Sequence, residues 1–374
     1  NQFSFGFQYE LPLRSAIEVS YAGNRAHKLE TNWQYNEPNL EWRAKCYPLE
    51  GGNPSYCDAL VPNPFYNLEP FAGTGSGTSP TVSRNSLARP YPAFGGLTQR
   101  GRNDGKAWYN SMQVTYQLRG KGGLNLNLAY TLSKMIEQGR NFTDGSGNNS
   151  FLDNERMIIQ RGIYQFDRPH VVKLGSVWEL PFGKGKRLFN TPHGLWSRLA
   201  SGWQHTLIFT YSSGQPWDLP GGVRYLKEAK LEADWSASQI RGVKPCVARY
   251  NTDGSITPQA FSVAYGCGSD VSAYNFLILP RYAPRETPFR DGRVRLHAAP
   301  QFDMSINKTT QIKEGMSVQF RAEAFNIMNT FYFPKGQFDN NPESTNFGSM
   351  IKGTVSQGNA NFPRQVQFAV KFIF

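Results

Sequence analysis

PRQVQFAVKFIF, residues 363–374, sets Val366, Phe368, Val370, Phe372 and Phe374 at every second position, with Gln367, Ala369 and Lys371 among the residues between them. An extended chain turns successive side chains to opposite faces, so the segment predicts a strand with one greasy face and one more polar face. The same period recurs upstream. Leu124, Leu126, Leu128, Tyr130 and Leu132 interleave with Asn125, Asn127, Ala129, Thr131 and Ser133, and before them Met112, Val114, Tyr116 and Leu118 alternate with Ser111, Gln113, Thr115 and Gln117. The glycine-rich RGKGG at 119–123 joins those two runs as a hairpin. Phe3, Phe5, Phe7 and Tyr9 are matched to Ile17, Val19 and Tyr21 across Pro12; Phe302, Met304 and Ile306 are matched to Met316, Val318, Phe320 and Ala322 across KEG.

With further strands around 168–180 and 200–213, the chain reads as nine long strands, near 2–11, 13–23, 106–119, 121–134, 168–180, 200–213, 300–311, 315–327 and 363–374. Each is long enough to cross a bilayer when tilted. Connections near 12, 120 and 313 are tight and the one at 181–199 is moderate, whereas those at 24–105, 135–167, 214–299 and 328–362 are long. In an up-and-down chain every short connection falls at one end of the strands. The expectation is therefore an all-β fold, an antiparallel up-and-down transmembrane β-barrel with about nine strands in this chain and long extracellular loops.

A soluble β-sandwich alternates too, with its greasy face turned inward. Three features argue against it: strands longer than the roughly 5–6 residues usual in soluble sheets, alternating connection lengths, and a second face carrying Asn, Gln, Thr, Lys and Glu. Trp108, Tyr109, Trp178, Trp203, Tyr211 and Trp217 lie near strand ends, where aromatics suit the two membrane interfaces.

Composition fits a folded chain, with 39% hydrophobic and 18% charged residues over 374 positions. No run approaches the roughly 18 apolar residues of a membrane-spanning helix, which leaves a barrel open because its strands show lipid only alternate residues. The opening NQFSFGFQYEL already reads as a strand, so any export signal is expected upstream of it. Cys46 with Cys57 and Cys246 with Cys267 form two sequence-local pairs inside loop-like segments and are read as disulfides, which belong to an oxidising compartment. Zinc spacing is missing, and His27, His170, His193, His205 and His297 are scattered. The net charge of +12 is spread along the chain without a recognition helix or RNA-binding motif, so no nucleic-acid partner is expected. Arg84, Arg89, Arg100 and Arg102 form one basic stretch, which suits a solvated loop or an anionic headgroup or solute.

No nucleophile elbow, phosphate loop, HExxH or dinucleotide pattern occurs in a credible context, and GTGSGT at 73–78 reads as a loop tip. Glu228 and Glu232 lack any support as a glycosidase pair. Neither an enzyme nor a cofactor is expected. Recognition is assigned to the long loops, where Trp33, Tyr35, Trp42 and Tyr47, followed by Tyr56, Phe65 and Tyr66, offer flat rings that stack on sugars or aromatic solutes.

FDRPHVVKLGSVWELPFGKGKR at 166–187, GWQHTLIFTYSSGQP at 202–216, FRAEAFNIMNTFYF at 320–333 and PRQVQFAVKFIF at 363–374 together resemble the barrel of Oar-like TonB-dependent receptors. The resemblance implies a C-terminal barrel portion spanning 1–374, with the plug, TonB box and earlier strands supplied by residues upstream. It also implies an outer-membrane location, contact with outer-membrane lipid, coupling to TonB through the plug, and passage of an unknown solute. The tail Val366, Phe368, Val370, Phe372 and Phe374 is similar to the signal read by the barrel-assembly machinery. The competing expectation is a cell-surface or secreted β-rich protein for carbohydrate binding or adhesion, and a secreted hydrolase comes third.

Overall fold

The computed structural model describes residues 1–120, 122–139, 151–190, 194–226, 232–234, 241–298, 300–330, 339–349 and 363–374. Most of the expected 328–362 connection, Glu228, His193 and the lysine of the RGKGG turn lie outside them, and the Glu232 side chain is likewise not described. Nine long strands form one sheet: β1 (Gln2–Leu11), β2 (Ser15–Gln34), β3 (Thr98–Arg119), β4 (Leu124–Gln138), β5 (His170–Glu179), β6 (Trp203–Ser212), β7 (Gln301–Lys313), β8 (Met316–Phe325) and β9 (Gln365–Ile373). Spatial order follows chain order, and each strand is antiparallel to the next. A short strand, Arg161–Ile163, continues the sheet beside the upper part of β4. The curve stays open: β1 and β9 are its two edges and do not pair with each other.

Register decides which side chains share a face, because directly paired residues in a sheet point the same way. One row runs Tyr9, Ile17, Tyr116, Leu128, Leu174, Phe209 and Phe302 across seven strands. A second runs Leu118, Leu126, Ser176, Leu207, Met304, Ala324 and Val366. The row beside the first one on its loop side, on the opposite face, is Gln8, Glu18, Thr115, Ala129, Lys173, Thr210 and Gln301. Most of the greasy residues thus align on one surface and most of the amides and hydroxyls on the other; Val171, Val177 and Ile208 fall on the polar face, and Lys134 and Lys308 lie near the two ends of the greasy one.

The greasy surface is not covered by protein. Phe5, Phe7, Phe368 and Phe372 are 75%, 58%, 70% and 65% exposed, and Met112, Leu132, Ile306 and Phe320 on inner strands also reach the surface. Among the described residues the only buried apolar side chain in the nine strands is Ala107. At the rim Gly23 has a structural reason to lack a side chain: a Cβ there would lie 2.4 Å from the Phe3 ring, which crosses it from the edge strand.

Short connections at 12–14, 120–123, 180–202 and 314–315 gather at one end, and the long ones at the other. In the tightest, Gly315 turns the chain with φ of 75°, a conformation that only glycine takes without strain. Helix Leu195–Ala200 occupies the moderate connection. β2 and β3 run well past the expected limits at 23 and 106, paired through several register shifts up to Gln34 and Thr98.

The aromatic positions divide. Trp108, Trp178, Trp203 and Tyr211 share the greasy face, the last three near strand ends and Trp108 midway along the extended β3. Tyr109 faces the polar side, one residue out of phase, and Trp217 is 1% exposed inside the outer loops, so both depart from the girdle expectation.

That loop interior is where the dry core sits. Segment 213–300 carries a four-stranded sheet in the order Val223–Tyr225, Phe276–Ile278, Val247–Tyr250, Ile256–Pro258. Trp217, Leu219, Val223, Val247, Phe276, Ile278, Val294 and Leu296 pack as one cluster that Phe347 of the last loop completes. The Cys246–Cys267 disulfide closes over a second, smaller cluster of Ala248, Tyr274 and Leu277.

Candidate functional site

The long loops meet above the polar face of the sheet, and charge fixes how they meet. Arg290, 3% exposed, donates to Glu137 at 2.5 Å, to Asp218 at 3.0 Å and to the Ile163 carbonyl at 2.9 Å. Glu137 lies on the polar side of β4, so this triad pins the 213–300 loop to the strand end from the lumen side. Arg295 makes a second anchor, donating to the Asp167 carboxylate at 2.6 Å and to the carbonyls of Asp167 and Gly214. The Asp167 carboxylate in turn accepts from the Met135 backbone at 2.7 Å. Removing one partner from such a buried pair leaves an uncompensated charge, which is why the anchor holds its geometry.

The first loop, 35–97, joins this cap. The Cys46–Cys57 disulfide ties helix Leu40–Cys46 to helix Pro54–Asp58, each begun by an asparagine side chain, Asn39 and Asn53, that accepts a backbone N–H of the first turn. Asp58 at the end of the second helix bonds the Tyr282 hydroxyl at 2.5 Å and pairs with Arg281 at 2.6 Å. Burial, reinforced by the bond to Asp58, pushes the Tyr282 phenol up to about 12. On the other side Arg43 pairs with Asp153 at 2.8 Å, while Asn154 donates to Glu37. Burial alone would raise the Asp153 carboxyl, but the Arg43 hydrogen bond and the Arg156 contacts outweigh it and hold it below the usual range.

The four loop aromatics do not converge. Trp33 belongs to the extension of β2, not to a loop, and its indole N–H donates to the Asn154 carbonyl beneath the Arg102 guanidinium. Tyr35 follows it and meets Tyr91 edge-on at 6.3 Å. Tyr47 is 8% exposed, so its ring packs between loops and cannot meet a solute in this arrangement. Desolvation, with the Glu286 carboxylate adding to it, raises its phenol. Tyr35 is exposed, and Trp42, half-buried, borders a surface cavity: its ring lies 6.2 Å from Tyr56, its N–H reaches Asn85, and Arg84 covers the Tyr56 face at 4.3 Å. A cavity of about 360 Å³ between Trp42, Lys45, Arg84 and Leu87 opens beside it. The expected basic stretch is dispersed: Arg84 joins Tyr56, and Arg102 pairs with Asp104 at 2.6 Å.

The Arg290 and Arg295 anchors were not foreseen from the sequence, because their partners lie 72 to 153 residues away and give no local signal. Among the described residues no group of His, Cys, Asp and Glu is arranged to hold a metal. Among the described residues no helix is long and apolar enough to cross a membrane, which says nothing of strands.

A family model described as "Outer membrane beta barrel domain" matches residues 1–367. No curated protein matches the chain. Among solved structures, the outer membrane transporter YddB from Escherichia coli is similar at 9% identity and a TM-score of 0.36, over 100% of this chain and 31% of that one. The chain therefore spans less than a third of that transporter's length.

Proposed function

Because the chain belongs to the outer membrane beta barrel domain family and lies in the outer membrane, we propose that it forms the strand-and-loop portion of a TonB-dependent, Oar-like transporter or receptor. It works by binding and passage, with no covalent chemistry. The observation that carries this reading is the division of the sheet: nine strands gather most of their apolar side chains on one face that no protein covers, while most of their amides and hydroxyls lie on the reverse, under a braced loop cap. A wet face beneath a cap is what passage of a solute requires.

The two edge strands sharpen the proposal. In hydrocarbon each unpaired backbone N–H or C=O costs several kcal/mol, so strands of the same barrel pair with β1 and β9 and close it. A plug carried by the natural protein fills the lumen and contacts TonB. Selection begins at the outer loops, where Trp42, Tyr56 and Arg84 present a stacking surface with a cation at its margin. The Val366 to Phe374 tail serves the barrel-assembly machinery.

The test is fractionation of cells carrying the natural protein, followed by capture on the periplasmic domain of TonB. Recovery in the outer membrane, heat-modifiable migration and capture are expected together. Outer-membrane recovery without capture would remove TonB dependence and leave the barrel; recovery in the culture medium would favour an adhesin.

A further inference from the structure

Register also sorts the residues just above the apolar band on the lipid side. The row Gly23, Asn110, Lys134 is followed outward by Arg25, Trp108, Ile136, Ile163 and then by His27, Lys106, Gln138, Arg161. Three rows contain four permanent cations and a histidine, and no carboxylate. Neighbours in a row are about 5 Å apart and successive same-face rows about 7 Å, so Lys134, Lys106 and Arg161 fall within reach of one polyanionic group. Among the described residues none of the four pairs with an acid: Arg25 bonds Asn110 and backbone carbonyls, and Arg161 covers the Trp108 ring at 5.0 Å.

A cavity of about 970 Å³ opens at this place, with Tyr21, Met112, Leu132 and Ile136 on its apolar wall and Lys134 and Arg161 at its rim. Its acids are already used, Asp167 by Arg295 and Asp291 by Arg293, and Arg290 is spent on Glu137 and Asp218. The surplus charge at the cavity is therefore positive. Tyr21, Met112, Leu132, Lys134 and Ile136 belong to the face turned to lipid, so the apolar wall of the cavity lies on that side, while Ser111, Ser133 and the 288–295 segment complete its lining.

We propose that this rim is a binding site for a phosphorylated lipid of the outer leaflet, its acyl chains against Tyr21, Met112, Leu132 and Ile136 and its phosphate on Lys134 and Arg161. An apolar wall directly beneath unpaired cations is complementary to an amphiphile and not to free phosphate. The inference rests on the orientation of the sheet and stands whether or not the protein transports anything.

Native mass spectrometry of the natural protein in neutral detergent tests it, with phosphatidic acid, diacylglycerol and inorganic phosphate as separate probes. Phosphatidic acid is expected to be retained at concentrations where the other two are not. The double substitution Lys134→Gln with Arg161→Gln should weaken retention about tenfold or more, since each charge-assisted contact contributes about that much. Lys173→Gln on the polar face should leave it unchanged, and Arg161→Lys should keep most of it. Heat-modifiable migration checks that each variant is folded, and salt should weaken retention by the wild type. Equal retention by the double variant, or equal binding of phosphate alone, would overturn the proposal.

Discussion

The nine-strand sheet and the 213–300 loop treat apolar side chains in opposite ways. On the sheet Phe368 is 70% exposed and its neighbours in the rows are uncovered, whereas in the loop Trp217 and Phe276 are at 1% and 0%. The difference teaches where each solvent lies. A sheet whose greasy rows find no protein partner is stable only where the surroundings are themselves apolar, while a loop that builds its own dry cluster stands in water. One chain thus meets two solvents, and the boundary between them runs through the cationic rows above Tyr21, Met112 and Leu132.

Substitutions can break that contrast, and the largest effect is expected in the loop. Trp217→Ala should cost the loop about 3–5 kcal/mol through the cavity it leaves. The measurable result is rapid protease nicking within 213–300 while heat-modifiable migration of the barrel persists. Truncating Phe368 should cost less, because acyl chains fill the space; equal effects at both sites would erase the distinction.

Next in size is a charge placed on the sheet. Leu128→Arg, in the middle of the seven-strand apolar row, should destabilise the barrel by about 2–4 kcal/mol, and Asn127→Arg on the other face by much less. Urea unfolding into and out of lipid vesicles reads the pair. Similar losses at 127 and 128 would place both residues in one environment.

The smallest effect is a titration between loops. The Tyr282 phenol has its folded value raised above the ordinary 10 to about 12, so the stability it lends is complete below pH 10 and is lost as pH rises through about 12. Phenolate absorbance should show a late-titrating component that Tyr282→Phe removes, and Asp58→Asn should bring that component earlier. A Tyr282 that ionises with the exposed tyrosines would mean that the first and third loops do not lock.

The sheet was legible in the sequence because lipid imposes a strict period of two: Leu124, Leu126, Leu128, Tyr130 and Leu132 can face only one way. The limits of β2 and β3 were not, for the same reason. Beyond Gly23 the alternating residues become Arg25 and His27, so the greasy signal stops where the hydrocarbon stops, although the hydrogen-bonded ladder continues. The loop core carries no such period. Trp217, Val247, Phe276, Val294 and Phe347 sit on strands of three or four residues or on none, and only the fold brings them together. The cysteines could be paired from proximity in the chain, and both bridges form with Cα atoms 5.8 Å apart. The loop aromatics could not be ranked, since nothing around Tyr47 distinguishes a packed ring from the cavity-lining one of Trp42.

All four native cysteines are engaged in disulfides, so a single introduced cysteine can be labelled selectively. The most direct measurement is quenching of a fluorophore carried in turn at positions 124 to 132 of β4, by nitroxide on lipid tails and by a soluble quencher. The account predicts alternation: lipid quenching at 124, 126, 128, 130 and 132, and aqueous quenching at 125, 127, 129, 131. Reversed phase, or aqueous quenching at every position, would contradict it.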